Sequence, residues 1–434
     1  MTIRTPRSNR PRTRGQIVIM ITLVIPALIL FAGLAIDFGV AYTDKSALSR
    51  AVDAAALEGM RNLSLGTTLA KQLASDTFNV NVQGLGTYAT TPTFTFVENV
   101  DQYGNQTVTI TGTAYWQPLL LSLFLSSPVA LTATATVGRA PLYMSLVLDQ
   151  SYSMTENGGA SALPTAVTNF IDQFNDSADH VALISFATIP TIGVTMASSP
   201  PFKTAVTNYV NGMTFTLTNA YTFAQTGLDN GLAQINSVSL PSNAQKVMVF
   251  FTDGWPNMVQ DTLNCSGTTR TLLNFTECDT GDVSLGLCSN TYPLAVFTTA
   301  GANTTCDGCT SYPSYSSSDS CYPAPSVLNF NSRQYSRSES ISMATVSAEA
   351  IYRAEASAAT ALGQNVTIYS IGLGSAITNQ ATAQAFLYQV ANDPTGANYN
   401  SSLPQGQAVF APTSSQLNTV FQQIASKILL RITQ

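Results

Sequence analysis

Two apolar runs in this chain each end in side chains that carry oxygen, and this pairing constrains the fold more than any other feature. The residues that follow the first run, 142–148, are Asp149, Ser151 and Ser153. Asp253 follows the second run, 246–251. Short apolar runs predict buried strands, and an open α/β sheet binds ligands at the carboxyl ends of its strands. Oxygen-only donors suit a hard cation such as Mg²⁺, so the sequence predicts a metal-dependent binding domain.

Strand-like and helix-like segments alternate from residue 141 to the C-terminus. Strand patterns cover residues 142–149, 180–188, 246–254 and 365–374. Helix patterns cover residues 162–174, 224–235, 347–362 and 414–429. This alternation predicts an α/β domain over residues 141–434, with a doubly wound, mostly parallel sheet covered by helices on both faces.

The N-terminus predicts a membrane anchor. Residues 17–36 are almost uninterrupted apolar residues, enough to span a bilayer. The arginines that precede them are Arg4, Arg7, Arg10, Arg12 and Arg14. We therefore expect a cytoplasmic tail (1–15), a transmembrane helix (16–36) and an extracytoplasmic remainder. A signal peptide cleaved near Gly33-Leu34-Ala35 is the alternative. The length of the run and the helical pattern beyond it favour retention.

Two segments connect the anchor to the α/β domain. Residues 37–62 predict a juxtamembrane helix whose small-residue face packs on a partner helix or, as we favour, on the next domain of the same chain. Residues 63–140 contain period-2 stretches typical of strands. We expect a small, strand-rich mixed α/β domain with a structural role, because no residues in it suggest chemistry.

All six cysteines lie between Cys265 and Cys321. This confinement predicts a disulfide-rich insertion over about residues 257–335, and hence an oxidising compartment. Zinc held by Cys306, Cys309 and another pair is the alternative, which irregular spacing makes less favoured. The insertion follows Asp253, on the edge where the predicted site opens, so we expect it to shape a binding surface.

Composition excludes several functions. The net charge is −6, and the basic residues of the N-terminal tail leave the remainder more acidic still, so the chain is a poor nucleic-acid binder. His180 is the one histidine, which excludes His-rich metal sites and leaves little room for a Ser-His-Asp hydrolase. We interpret His180 as a surface or strand-edge residue rather than a general base.

The strand-end residues resemble those of von Willebrand factor A domains. These domains share an Asp-x-Ser-x-Ser motif, a later threonine and a later aspartate, which together form a metal-ion-dependent adhesion site. The resemblance implies a metal site made of Asp149, Ser151, Ser153, Thr222 and Asp253. Thr222 is chosen because it precedes Gly227-Leu228 at a helix start, and Thr218 is the alternative.

The N-terminal segment is similar to TadE/TadG-like Flp pilus-assembly proteins. The shared features are Arg14-Gly15, Pro26, Asp37-Phe38-Gly39 and the block from Asp53 to Leu57. This resemblance implies a single-pass protein of a bacterial cytoplasmic membrane, with its bulk in the periplasm or at the cell surface and with pilus-assembly components as partners.

The residues together predict binding rather than catalysis. Hydroxyls would supply most ligands of Mg²⁺, with Mn²⁺ or Ca²⁺ as alternatives, and the ion would keep a position open for an acidic side chain of a partner protein. No general base is evident beside the site, so we expect no enzyme, and a metallohydrolase is the least favoured reading. A structural envelope protein with a metal-independent A domain remains open.

Overall fold

The structure is a computed structural model in which the chain forms two compact units. It describes residues 14–83, 91–102, 104–119, 122, 127–216, 221–265, 268–275, 294–297, 329–330, 333–334 and 343–432. The first unit comprises Met1–Asp101 and Gln106–Gly138, and the second comprises Gln102–Asn105 and Arg139–Gln434. Most of the arginine-rich tail lies outside the described residues.

The first unit joins two helices to a three-stranded sheet. Its elements are α1 (Arg14–Arg61), a 3₁₀ turn (Leu63–Leu65), α2 (Thr67–Val82), β1 (Thr93–Val100), β2 (Gln106–Trp116) and β3 (Val129–Arg139). The strand order is β1-β2-β3, and β1 pairs antiparallel with β2. The predicted juxtamembrane segment is thus the second half of one helix, which Pro26 does not end.

Alanines of α1 form the core of this unit. Ala51 and Ala55 are buried against Phe78 of α2 and Val108 of β2. Their small side chains allow close approach of the helices to the sheet, and the apolar area removed from water stabilises the unit. The small-residue face of α1 therefore packs within its own chain. Along the outer face of the sheet, threonines of β2 and β3 pair, as in Thr109 and Thr136, whose hydroxyls lie 2.9 Å apart.

The second unit contains the remaining elements. In chain order they are β4 (Leu142–Asp149), α3 (Ser153–Glu156), α4 (Gly159–Ile171), β5 (His180–Phe186), β6 (Thr191–Val194), a 3₁₀ turn (Met196–Ser198), α5 (Lys203–Gly212), α6 (Ala224–Asn236), β7 (Gln245–Thr252), β8 (Met258–Cys265), β9 (Thr268–Phe275), β10 (Leu294–Phe297), β11 (Asn329–Phe330), β12 (Arg333–Gln334), α7 (Met343–Gly363), β13 (Thr367–Leu373), α8 (Ser375–Thr378), α9 (Ala381–Ala391), β14 (Gln407–Ala411), a 3₁₀ turn (Ser414–Gln416) and α10 (Leu417–Ile432).

Six of these strands form a mixed sheet in the order β14-β13-β7-β4-β5-β6. All neighbouring pairs are parallel except β5 and β6, which are antiparallel. Residues of β4 alternate between two cores, with Leu146 on the side of α4, α5 and α10 and Val147 on the side of α6, α7 and α9. The predicted α/β fold with helices on both faces is confirmed, with one antiparallel edge strand added.

The order of the sheet reverses beside β4. The chain passes from β4 to β5 on one side, and β7 later pairs on the other side. Loops that leave the carboxyl ends of such neighbouring strands open a crevice between them. In this fold the crevice lies after β4 and β7, and it places Asp149 beside the segment that contains Asp253.

The cysteine-containing insertion begins with strands. β8 pairs antiparallel with β9, and β9 pairs antiparallel with β10. Apart from the backbone of Cys265, the cysteines lie outside the described residues, so the predicted disulfides and the alternative zinc site both stay predictions.

Candidate metal centre

Asp149, the last residue of β4, is fully buried at the carboxyl edge of the sheet. Its Oδ1 accepts a hydrogen bond from the backbone N–H of Ser151 at 2.8 Å, which makes a tight turn directly after the strand. Its Oδ2 accepts a hydrogen bond from the hydroxyl of Thr252 at 2.6 Å. Thr252 ends β7, so this contact connects the two central strands at the predicted site.

A chain of hydroxyls continues from the same turn to the second aspartate. The Oγ atoms of Ser151 and Ser153 lie 3.0 Å apart, and Ser153 donates its hydroxyl to Oδ1 of Asp253 at 2.8 Å. Asn157 donates its Nδ2–H to Oδ2 of Asp253 at 2.9 Å. The serine hydroxyls thus point at side-chain oxygens, whereas helix caps would point at backbone N–H groups. Four of the five predicted site residues meet around one point.

Thr222 lies beside this cluster without joining its hydrogen bonds. It is buried in the loop that precedes α6, and its N–H donates to Oδ1 of Asn257 at 2.7 Å. Asn257 returns a backbone N–H to the carbonyl of Thr222 at 3.2 Å. The Oγ1 of Thr222 lies 3.9 Å from the position that a Cβ on Gly254 would take. Thr218, the alternative, lies outside the described residues.

The two carboxylates at the site are both driven toward protonation. Burial raises the pKa of Asp149 to about 7, the negative charge of Asp253 adds to this, and hydrogen bonds from Ser151 and Thr252 oppose it. Burial also raises the pKa of Asp253, against hydrogen bonds from Asn157 and Ser153, while Glu156 raises it further. A bound cation would favour the ionised form of both groups.

The set of donors fits a hard cation. Hydroxyl and carboxylate oxygens face one another across the crevice, and Mg²⁺ takes such ligands together with water. The described residues contain no cluster of three or more His, Cys, Asp and Glu that could hold a metal, so a cation bound at this point would need hydroxyl ligands beside the two carboxylates. His180 lies at the opposite end of the sheet, where its ring stacks on Tyr143 at a centroid distance of 4.3 Å.

Three further residues support the site and were not predicted from the sequence. Thr252 ties Asp149 to β7, and the carbonyl oxygen of Gly254 lies 2.8 Å from the same hydroxyl oxygen. Asn157 lies four residues after Ser153, the spacing that places two residues on one helical face, and this signal could have identified it. Asn257 belongs to an irregular loop, and no periodic pattern indicates it.

Two families match parts of the chain. Residues 144–280 match the von Willebrand factor type A domain, and residues 15–62 match the putative Flp pilus-assembly TadE/G-like family. No protein of curated function matches the chain. The helix α1 is long and apolar enough to cross a membrane, a property that signal sequences share.

Several solved structures are similar to this chain. The pilus adhesin SpaC from Lactobacillus rhamnosus GG is 15% identical, with a TM-score of 0.39, over 79% of this chain and 34% of that one. The von Willebrand domain of the type V pili tip protein Mfa5 from Porphyromonas gingivalis is 15% identical, with a TM-score of 0.40, over 68% of this chain and 97% of that one. The PilB minor pilin from Streptococcus sanguinis is 14% identical, with a TM-score of 0.38, over 80% of each chain.

The chain covers about a third of the length of SpaC. The two family matches fall on the two segments that the sequence motifs singled out. The buried cluster of Asp149 and Asp253 lies within the larger of these segments. The chain therefore matches the TadE/G-like family over its N-terminal segment and the von Willebrand factor type A family over residues 144–280.

Proposed function

We propose that the von Willebrand A domain binds Mg²⁺ and, through it, an acidic side chain of a partner protein. The observation that carries this proposal is the continuous set of hydrogen bonds from Asp149 to Asp253 at the reversal of the sheet. Buried carboxylates without a neighbouring cation are costly when ionised. A divalent ion would remove this cost and make use of the polar cluster.

The residues that would hold the ion are of two kinds, neutral hydroxyls and carboxylates. The hydroxyls of Ser151, Ser153 and Thr222 would contact the metal, while Asp149 and Asp253 would bind it directly or through water. With mostly neutral ligands, the ion keeps positive charge and can accept a carboxylate at an open position. Mn²⁺ and Ca²⁺ are the alternatives, since they take the same oxygen donors.

We further propose that the chain acts in the assembly or adhesion of a Tad-type pilus from a membrane-anchored position. The match of residues 15–62 to the TadE/G-like family supports this role, and the apolar first half of α1 supports the anchor. The arginines before the apolar run favour a cytoplasmic N-terminus, which leaves the A domain outside the cytoplasm. Its partner is then a protein of the envelope or the cell surface.

A structural protein with a metal-independent A domain is the second candidate. One observation favours it: hydrogen bonds among Asp149, Ser151, Ser153 and Asp253 already satisfy these side chains, and Thr222 stands apart. In that case the cluster would only stabilise the loops after β4 and β7. The two candidates differ in whether Mg²⁺ changes the stability of the domain.

The experiment is a titration of the full-length chain in detergent with Mg²⁺, followed by thermal unfolding. A bound ion stabilises the folded state by about 2.7 kcal/mol at a concentration 100-fold above its Kd, so the melting temperature of the A domain should rise. Asp149→Ala should abolish the rise, and Asp229→Ala, at an exposed position on α6, should leave it intact. An unchanged melting temperature of the wild type would contradict metal binding.

Partner binding needs its own measurement. Crosslinking of the membrane-embedded chain to its neighbours in the presence of Mg²⁺ or of EDTA should yield an adduct that depends on the metal and is lost in Asp149→Ala. An adduct of equal yield under both conditions would support the structural candidate, because the partner would then be held by other surfaces.

A further inference from the structure

We propose that the first unit sits on the membrane surface, with Leu119 inserted into the bilayer interface beside the end of the apolar span. This inference rests on the proposal that residues 16–36 span the membrane. It adds a second membrane contact, made by Leu119 shortly after β2, so that the unit rests on the lipid instead of being held away from it.

The length of the apolar run sets the level of the membrane surface. Residues 17–36 provide about 20 helical residues, which at about 1.5 Å each span about 30 Å, the thickness of a bilayer core. If the core ended at Ala32, the run would provide only about 24 Å, which is too short. The outer boundary therefore lies near Ile36, immediately before Asp37.

One side of α1 is covered by protein, and this cover begins within the apolar run of residues 17–36. Gly33 is buried, although it precedes the boundary, and Asp37 is buried one turn later. On the uncovered side, Ile36 is 54% exposed. The covered stripe of the helix thus reaches about 6 Å below Asp37 toward the membrane core, a depth that interfacial segments of proteins occupy.

A hydrogen bond fixes the turn after β2 at the same level. The backbone N–H of Leu119 donates to Oδ1 of Asp37 at 2.9 Å. The side chain of Leu119 is 64% exposed. It begins the sequence Leu-Leu-Leu-Ser-Leu-Phe-Leu of residues 119–125, whose composition suits hydrocarbon better than water. Because Asp37 marks the boundary of the span, Leu119 must lie at the bilayer interface.

Aromatic side chains on α1 indicate the same level independently. Phe38 is 61% exposed and Tyr42 is 78% exposed. They are four residues apart and so share one face of the helix just beyond the boundary. Tyrosine is enriched at membrane interfaces, where its ring meets lipid and its hydroxyl meets water, and the ring of Phe38 adds apolar surface on the same face. Lipid is thus the occupant that suits both Leu119 and this aromatic pair.

The experiment measures the depth of position 119 in the full-length chain reconstituted in phosphatidylcholine vesicles. Replacing both native tryptophans by phenylalanine, as Trp116→Phe and Trp255→Phe, gives a background in which Leu119→Trp is the one indole. The matched control is Leu65→Trp, since Leu65 is 54% exposed and lies just after Arg61, the end of α1, which is about 36 Å along the helix from Asp37.

We expect the emission of Leu119→Trp to be shifted to the blue, quenched by brominated lipid and protected from iodide, and that of Leu65→Trp to behave in the opposite way. Equal iodide quenching at both positions, in chains that resist alkaline extraction, would overturn the inference while the membrane span stands. Protection from both quenchers at position 119 would also overturn it, because protein would then cover the site. Extraction of the chain by alkali would overturn the span and the inference together.

The hydrogen bond from Leu119 to Asp37 offers a second test. Asp37→Ala in the Leu119→Trp background should reduce quenching by brominated lipid, because the turn loses its attachment to α1. Asp37→Asn keeps the Oδ1 acceptor and should preserve the quenching. If both variants behave like the parent, Asp37 does not place Leu119 at the membrane, and the inference fails.

Discussion

The two halves of the candidate metal centre differ in how completely they are organised. The half after β4 and β7 is a connected set in which Asp149, Ser151, Ser153 and Asp253 are joined in sequence by hydrogen bonds of 2.8–3.0 Å, and Thr252 adds a hydrogen bond of 2.6 Å to Asp149. The other half is Thr222, whose hydroxyl makes no hydrogen bond in the described part of the chain. Its backbone is instead held by Asn257.

This difference indicates which residues stabilise the metal-free protein and which contribute only when the ion is bound. A buried hydrogen-bonded group contributes to stability whether or not metal is present, whereas a hydroxyl without a partner contributes only when a ligand arrives. The first half should therefore respond to pH and to substitution in the absence of metal. Thr222 should respond only in its presence.

The largest expected effect is on the pH dependence of the connected half. The pKa of Asp149 is raised to about 7, so the folded apo state binds a proton that the unfolded state releases near pH 4. The free energy of unfolding should therefore fall as pH rises from about 4 to about 7, by up to about 4 kcal/mol. The raised pKa of Asp253 acts in the same direction, and His180, with a lowered pKa, opposes it.

Urea unfolding followed by Trp255 in a Trp116→Phe background measures this effect in the second unit alone. Asp149→Asn, which is nearly isosteric and does not titrate, should flatten the profile, and saturating Mg²⁺ should do the same by favouring the ionised form. A metal-free stability that stays constant or rises between pH 4 and 7 would show that the carboxylates are not strained by burial.

The next effect comes from Thr252, which connects the two strands. Thr252→Val keeps the shape of the side chain but leaves Oδ2 of the buried Asp149 without its 2.6 Å donor. The cost to the free energy of unfolding should be about 2 kcal/mol above about pH 7, where Asp149 is ionised, since a buried, charged acceptor is left without its donor. Thr252→Ser retains the hydroxyl and is the control. Equal stability of the valine and serine variants would contradict a connecting role.

Much of this site could be predicted from the sequence because it depends on strand ends. The apolar runs before Asp149 and Asp253 show where two parallel strands stop, and the carboxyl ends of neighbouring parallel strands lie at one edge. The role of Thr252 could not be predicted, because it depends on which rotamer the packed strand selects. The four-residue edge strand β6 is too short for its alternation to stand out.

The position of Thr222 shows the limit of such reasoning. The spacing typical of von Willebrand factor A domains selected it as a metal ligand, and the structure places it in a buried loop beside the cluster. Its distance from the other oxygens, however, is set by the reciprocal hydrogen bonds between the backbone of Thr222 and Asn257, in two loops without periodic structure. Contacts between irregular loops leave no repeating signal in a sequence, so neither the partner nor the separation could be inferred.

A smaller effect is expected at Asn157, on the rim of the connected half. Asn157→Ala removes one of the two side-chain donors to Asp253 and should lower the free energy of unfolding by about 1 kcal/mol, because Asn157 is only partly buried. Asn157→Asp should lower it further, since a second carboxylate would repel Asp253, and Mg²⁺ should recover the stability that this repulsion costs. If the aspartate variant were as stable as the wild type without metal, repulsion between carboxylates would not limit the stability of the cluster.

The smallest expected effect on the apo domain is that of Thr222→Val, and it tests the comparison most directly. Replacing a hydroxyl that has no hydrogen-bond partner among the described residues by a methyl group of similar size should change the free energy of unfolding by less than about 0.5 kcal/mol. The same substitution should weaken Mg²⁺ binding, measured by calorimetry, whereas Thr222→Ser should retain it. A large loss of apo stability, comparable with that of Thr252→Val, would mean that Thr222 belongs to the connected half. Unchanged Mg²⁺ affinity would remove Thr222 from the ligands and leave the ion to the four residues that the folded chain already brings together.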